Sequence, residues 1–460
     1  MLYRDDFNGY PGSALRLSRD ISSRVRIANS VGNMNNFTSH QDVVIIGGGP
    51  AGAVTALQLL KSGIKPAIVE RERFPRYHIG ESLTGEVGAR LRELGLEDKI
   101  KASNYPIKHG VTVYGPNGKS TFWVPVMRRD ENGQLQKATT WQVRRDEFDQ
   151  MLLDEAVSRG AVLWKGRAEV PILDGDEVVG VRVRHECGKV DDVQTKVVVD
   201  ASGQSTFLAS RGAPTGEKHR GRYDKQMAVF TQVRGTIRDP GDGSGNTMIF
   251  YREKGHWAWF IPLDDDLVSV GIVCAGQYFA DQNEDKTEFL RKELRTLNPE
   301  LSRRLPNLDF AEDVRSASNY SYHINQYTGP GFLCVGDSHR FVDPIFSFGV
   351  NFAVNEGRLA GDEIAAFLRG ERNATRNPFE EYQRKTGQAQ DIIQDLVDVF
   401  WDHPLPFAML VHHHRHREGM IDLFAGRIFS EDVHKSEALH AMRMCKTHGR
   451  QRAESLVPVG

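Results

Sequence analysis

Gly47-Gly-Gly49-Pro-Ala-Gly52 follows directly on Asp42-Val-Val-Ile-Ile46, a β-branched run suited to a parallel strand buried on both faces. A glycine turn between such a strand and a helix can cradle phosphate. Gly47 serves the tight turn, Gly49 lets backbone approach a pyrophosphate, and Gly52 allows close packing of helix on strand. Ala51 lies in the same turn, where a helix N-terminus offers free N–H groups and positive potential. The helix is predicted from Ala53 to Ser62, with Val54, Leu57, Leu59 and Leu60 on its apolar stripe and Gly63 as its C-cap. A second apolar run, Pro66-Ala-Ile-Val69, ends in Glu70, roughly 20 residues past the glycines, where a carboxylate can accept from an adenosine ribose. Strand, turn, helix and acid in this order predict a dinucleotide site, and leave NAD or FAD open.

Three later segments bear on that choice. Gln142-Val-Arg-Arg145-Asp-Glu-Phe148-Asp149 precedes a helix-like stretch from Gln150 to Ser158. Val197-Val-Val-Asp200-Ala-Ser-Gly203 and Gly331-Phe-Leu-Cys-Val-Gly336-Asp337 are two more buried strands ending in turns. In this order the set resembles the large FAD-dependent class that includes aromatic hydroxylases and halogenases. The resemblance implies that Arg145 contacts FAD, that Asp200 and Gly203 pack beside it, and that Gly336 with Asp337 binds the ribityl chain. Arg145 alone would read as a solvated surface arginine. Asp337 also has a physical case, since a carboxylate at a strand end can accept from sugar hydroxyls and can equally cap the helix that follows.

Phe74-Pro-Arg-Tyr-His78-Ile-Gly80-Glu81-Ser82-Leu83 and Gly255-His-Trp257-Ala-Trp259-Phe-Ile261-Pro262 narrow the likeness. They resemble the flavin-dependent halogenases, in their phenol- and pyrrole-type branch. Two tryptophans two apart in a strand share a face, which would also suit an aromatic core stripe. The resemblance implies that Trp257, Trp259, Ile261 and Pro262 wall the flavin off from organic substrate, while Glu81 and Ser82 lie in a loop at the isoalloxazine edge. It also implies the chemistry: reduced FAD and oxygen give the C4a-hydroperoxide, halide attacks the distal oxygen, and hypohalous acid travels through the protein to a lysine. Lys108, in Asn104-Tyr-Pro106-Ile-Lys108-His-Gly110, matches that lysine. Its ammonium could polarise HOCl through a hydrogen bond, or its amine, deprotonated in an apolar pocket, could form a chloramine. Without the resemblance, a single lysine near a strand start is expected in solvent.

Phe341-Val-Asp-Pro344-Ile-Phe346-Ser347-Phe348-Gly349-Val350 resembles the family segment whose backbone N–H groups, here at Ser347, Phe348 and Gly349, hold chloride or bromide. Phe348 departs from the small residues usual at its position, although a site built from backbone N–H groups need not be abolished by a side chain. Phe346 stands where tryptophan halogenases carry a glutamate. The expected substrate is therefore a phenol, a pyrrole or an acyl group on a carrier protein. Thr84-Gly85, where proline is common, is a second departure. No second nucleotide fingerprint follows, so FADH2 is expected from a separate flavin reductase. The competing readings are an FAD monooxygenase or other oxidoreductase of the same fold that does not halogenate, and a non-catalytic flavin-binding scaffold.

These residues require an α/β (α+β) architecture. A Rossmann-like FAD-binding domain is expected from 40–113, 141–215 and 330–372, with a mainly antiparallel substrate-side sheet from 114–140 and 216–329. The alternating run Leu267-Val-Ser-Val-Gly-Ile-Val273 belongs to that sheet. Residues 373–460 read as a helical C-terminal region, with Ile392, Ile393, Leu396, Val397, Val399, Phe400 and Trp401 on an amphipathic helix stopped near Pro404 and Pro406. It either closes over substrate or packs on the body. Residues 1–39 read as a flexible extension in which Asp5, Asp6 and Asp20 argue against a transit peptide. His412-His-His-Arg-His416 lacks a second ligand cluster, so no metal site is expected.

Composition agrees with an ordinary globular enzyme of 460 residues, large enough for more than one core. A formal net charge of -2 leaves no field of one sign for nucleic acid or an anionic membrane. The 4 cysteines form no C-x-x-C pair, which fits a reducing cytoplasm without zinc or a disulfide framework. No apolar run reaches the roughly 18 residues that a membrane span needs.

Overall fold

The structure, a computed structural model, describes residues 37–318, 320–372 and 377–455; of the expected extension, 1–36 lie outside the described residues. Two large sheets organise the rest. The parallel heart of the first runs Val162–Asp174, Ala67–Glu70, Ser39–Ile46, Val190–Asp200 and Phe332–Cys334, each hydrogen-bonded to the next. Val43 to Ile45 and Val197 to Val199 are fully buried within one core that also takes in the helices, as a parallel sheet covered on both faces requires. Glu177–His185 pairs antiparallel with both Val162–Asp174 and Val190–Asp200, carrying the sheet past its parallel part. The first strand starts at Ser39, ahead of the apolar run, because pairing to Val193 and Gln194 uses backbone and needs no apolar side chain.

The helix after the glycine turn is Pro50–Lys61, starting earlier than its apolar stripe predicts. Pro50 sits at the first position, where its missing N–H would have had no intrahelical partner, and Gly63 beyond the end takes φ +76. Arg145–Ser158 likewise begins before the stretch predicted from Gln150, so Arg145 is a first-turn helical residue.

The second sheet runs Asp309–Phe310, Gln226–Arg234, Val268–Ala275, His256–Pro262, Thr247–Glu253, Gly110–Tyr114 and Thr121–Pro125, and Arg315–Ser318 also pairs with Gln226–Arg234. It is antiparallel except where Thr247–Glu253 meets Gly110–Tyr114. Val268–Ala275 is buried throughout save Ala275, so the alternation in its residue types does not produce a solvated face. The reason is a core on each side. Ala258 and Phe260 pack with Phe289, Leu290 and Leu301, while Trp257, Trp259 and Ile261 face the core shared with the C-terminal helices. Those helices are Glu380–Asp402, Pro404–His412, His414–Ala425 and Glu437–Ser455. Pro404 ends one helix and begins the next, since a proline at a first helical position removes no bond. Among the described residues no helix is long and apolar enough to cross a membrane.

Candidate active site

The glycine turn is held by backbone geometry that side chains would prevent. Gly47 has φ +106, and a Cβ there would lie 2.4 Å from Ala201 O; at Gly52 it would lie 2.0 Å from Gly47 O. Gly49 differs, because its Cβ would meet only the tip of Arg76, at 3.4 Å. That opening, at a helix N-terminus with no side-chain cap and no acid in its first turn, fits an approaching pyrophosphate, with Ala51 just inside the helix. Glu70, at the end of its strand, accepts from Gly48 N–H at 2.6 Å and from Glu72 N–H at 2.7 Å. Its carboxylate therefore braces the turn at the position where a ribose would lie.

Arg145 is buried and makes a two-pronged contact with Asp149, Nε to Oδ1 at 2.8 Å and Nη2 to Oδ2 at 3.0 Å. The i,i+4 spacing on one helix makes this possible. Arg76 reaches the same Asp149 at 3.2 Å, so one carboxylate aligns two cations, Arg76 beside Gly49 and Arg145 beside Gly80. A further Arg145 N–H, on Nη1, donates to Ile79 O at 2.6 Å and holds the start of the Gly80-Glu81-Ser82 loop. Burial works against the guanidinium charge, but Asp149, Glu81 and Asp337 outweigh it and raise its pKa. Burial raises the pKa of Glu81, whose Oε2 accepts from Gly80 N–H at 3.1 Å.

Gly336, at φ +63, turns the chain after Phe332–Cys334 and donates to Glu356 at 2.6 Å. Asp337 follows, half-buried, with no donor to its carboxylate among the described residues. Burial raises its pKa while Arg145 pulls it back. An unengaged carboxylate beside this arginine suits sugar hydroxyls. Asp200 is used otherwise: it accepts from Ser202 N–H at 3.0 Å and Leu208 N–H at 2.8 Å, so its carboxylate closes the turn in which Gly203 takes φ +62.

At the other end of the loop stands Lys108, on the short strand Ile107–Lys108 paired with Thr140–Trp141. Contrary to the expectation for a lone lysine, it is only 3% exposed. Its Nζ donates to Ser82 Oγ and Leu83 O, both at 2.8 Å. Behind Ser82, Thr247 Oγ1 lies at 2.7 Å and is itself bound by Gln142 Nε2 at 2.8 Å. Burial alone lowers the Lys108 pKa to about 7. Between Ile79, held by Arg145, and Leu83, held by Lys108, the backbone extends at most about 14 Å.

Trp257 and Trp259 share a face, with ring centroids 6.0 Å apart. Trp259 donates to Ser269 Oγ at 3.1 Å, whereas Trp257 Nε1 is buried with no partner among the described residues. Phe230 bridges Trp259 (5.9 Å) to Tyr77 (6.4 Å) on the Gly-Glu-Ser loop, so an aromatic wall, with Ile261 and Pro262 buried in the same strand, joins loop to sheet. The turn through Ser347, at φ +61, leads into the helix Gly349–Leu368. The free N–H groups of a helix start lie there. Phe348 is buried 6.3 Å from Phe352, and Phe346 packs against Phe400 and Phe424 at 5.2 Å each.

Arg76, Asp149, Gln142 and Thr247 were not singled out from sequence. Asp149 carried a usable signal, its i,i+4 spacing from Arg145; the others depend on contacts between distant segments. His412 to His416 fall across the junction of two helices, and the described residues contain no cluster able to hold a metal ion.

Comparison with known proteins places this arrangement. A family model described as an FAD binding domain matches residues 40–396. The chain is 37% identical over 400 residues to the 1H-pyrrole-2-carbonyl-(peptidyl-carrier protein) brominase of Pseudoalteromonas luteoviolacea, covering 86% of this chain and 94% of that one. It is 29% identical to the corresponding chlorinase of Pseudomonas fluorescens, over 87% and 92% of the two chains. The solved structure of the flavin-dependent brominase Bmp2 superposes with a TM-score of 0.83 at 36% identity, over 90% of this chain and all of that one. The myxobacterial chondrochloren halogenase CndH gives 0.72 at 26% identity, over 88% and 97%.

Proposed function

Since the chain belongs to the flavin-dependent halogenases, enzymes that act with FAD and a halide, we propose that it halogenates a pyrrole carried as an acyl group on a carrier protein. The observation that carries the mechanism is the burial of Lys108 at the far end of a loop whose near end is held by Arg145. FAD, when bound in reduced form, supplies with oxygen the power to oxidise halide to hypohalous acid. The glycine turn, Arg76 and Glu70 hold the nucleotide half. Arg145 and Asp337 hold the ribityl end, with Glu81 and Ser82 at the ring edge. Backbone N–H groups of Phe348 and Gly349 hold the halide; that of Ser347, expected to join them, instead donates to Pro344 O at 3.0 Å and closes the turn. Trp257 and Trp259 keep organic substrate from the ring, so the oxidant must reach it by way of Lys108. The ammonium hydrogen-bonds the oxygen of the hypohalous acid and leaves its halogen electrophilic. FADH2 comes from a separate flavin reductase.

The carrier requirement is supported by the names of two relatives, and it is tested by offering the pyrrole both as free carboxylic acid and as a carrier thioester. Halogenation of the thioester alone is expected; equal use of the free acid would contradict it. Phe348 bears on halide choice. Chloride is harder to oxidise than bromide, so a halide site disturbed by this bulky residue loses chloride turnover first. Phe348→Ser is expected to raise the chloride-to-bromide product ratio in an equimolar mixture, and an unchanged ratio would show that the backbone site tolerates the ring.

A further inference from the structure

Lys108 Nζ meets two acceptors that differ in kind. Leu83 O can only accept, whereas Ser82 Oγ can accept or donate. Ser82 Oγ lies 2.7 Å from Thr247 Oγ1, where either oxygen can be the donor. Gln142 Nε2 donates to Thr247 Oγ1 at 2.8 Å and to Gly245 O at 2.9 Å, which commits both amide hydrogens. All four side chains are buried.

We propose that the Ser82–Thr247 hydroxyl pair, held by Gln142, is a two-state hydrogen-bond switch that keeps Lys108 oriented in both of its protonation states. The proposal rests on Lys108 as the group that delivers the halogen. In the ammonium state one N–H goes to Leu83 O and one to Ser82 Oγ, and Ser82 passes its own hydrogen to Thr247 Oγ1. The third N–H is left for the hypohalous acid. As the ring carbon bonds to halogen, the halogen–oxygen bond breaks with its electron pair on oxygen, and that oxygen takes a proton from Lys108 and leaves as water. Lys108 is then a neutral amine. Ser82 now turns its hydrogen to the Nζ lone pair, and Thr247 turns its hydrogen to Ser82 Oγ. The bond from Gln142 survives both states because Thr247 Oγ1 has two lone pairs. The proton shed by the halogenated ring carbon restores the ammonium.

No charged group among the described neighbours takes over this task. His109, next on the strand, lies 3.9 Å from Asp242. Glu86, on the helix Gly85–Glu93, is bound to Arg90 at 2.7 Å, and Glu81 accepts from Gly80. Thr140, opposite Lys108 in the strand pair, is uncharged.

The test is an NMR titration of flavin-free protein labelled with [15N]lysine, with the Lys108 signal assigned by its loss in Lys108→Met. In Thr247→Val the Ser82 hydrogen has no outlet except Nζ, which favours the amine. The Lys108 titration is expected to move down by roughly one pH unit or more, while Thr247→Ser titrates as the parent does. Thr247→Ala removes the same hydroxyl, is expected to shift it in the same direction, and keeps the test open if Thr247→Val does not fold. In reactions, Thr247→Val is expected to give about tenfold less product per FADH2, with more hypohalous acid caught by an added scavenger. Parent-like titration and coupling in both Thr247→Val and Thr247→Ala would overturn the switch. Continued halogenation by Lys108→Met would instead overturn the role of Lys108 on which it rests.

Discussion

Lys108→Ala is expected to consume FADH2 and oxygen at close to the parent rate and to give almost no halogenated product. Halide oxidation and halogen delivery belong to different parts of the protein, so one substitution can separate them. The lysine is hydrogen-bonded to Ser82 and Leu83, at the end of the Gly-Glu-Ser loop, and among the described residues it makes no hydrogen bond to the glycine turn, Arg76, Glu70, Arg145 or Asp337. Losing a donor that acts on the developing charge lowers the rate roughly a hundred- to a thousandfold. Product mass against oxygen consumed is the measurement. In a hydroxylase of this fold the oxidant meets its substrate at the flavin, and a lysine that serves only halogen delivery would matter little. Near-parent halogenation by Lys108→Ala would remove the lysine from the mechanism. The parent carries its own pH signature. Burial brings the Lys108 pKa to about 7, so the ammonium that hydrogen-bonds the oxidant prevails below that value and is lost as pH rises through it. Product per oxygen is expected to fall above about pH 7, whereas a rise there would favour the amine as the reacting form.

Arg145→Ala is expected to weaken FAD binding about a hundredfold or more and to lower the melting temperature. Asp149, fully buried, would lose its two-pronged partner and retain only Arg76, and the Ile79 carbonyl would lose its donor. Removing one member of a buried ion pair costs about 3–5 kcal/mol, which at about 1.4 kcal/mol per tenfold is roughly two to three and a half orders of magnitude if it falls on binding. Arg145→Lys restores charge but not the planar fork, so rescue is expected to be partial. Flavin fluorescence titration measures the affinity. Parent-like affinity in Arg145→Ala would take Arg145 out of the cofactor site.

The parts of this molecule legible in sequence are those whose signal is local. The β-branched strand, the glycine turn and the first helix are written in consecutive residues, and the paired tryptophans follow from the two-residue period of a strand. Boundaries slipped where backbone, not side chains, set the element. Ser39 joins its strand without an apolar run, and Pro50 starts its helix ahead of the apolar stripe predicted from Ala53. Lys108 shows the other limit. Its environment is made by Ser82 and Leu83 on one segment and Thr247 on another, and no local pattern announces such a meeting. Arg76 is similar, since only the folded chain brings it over Gly49. Asp200 illustrates the converse: it lies in its motif, yet its carboxylate serves the turn beside the site.

The central claim, that the oxidant made at the flavin is passed to substrate as halogen and not as oxygen, is tested most directly by the mass of the product. The protein is incubated with a flavin reductase, FAD, oxygen, bromide and a carrier-bound pyrrole. A product carrying bromine is expected, recognised by its paired isotope peaks and absent when bromide is left out. A product that gains only oxygen, formed equally with and without bromide, would contradict it.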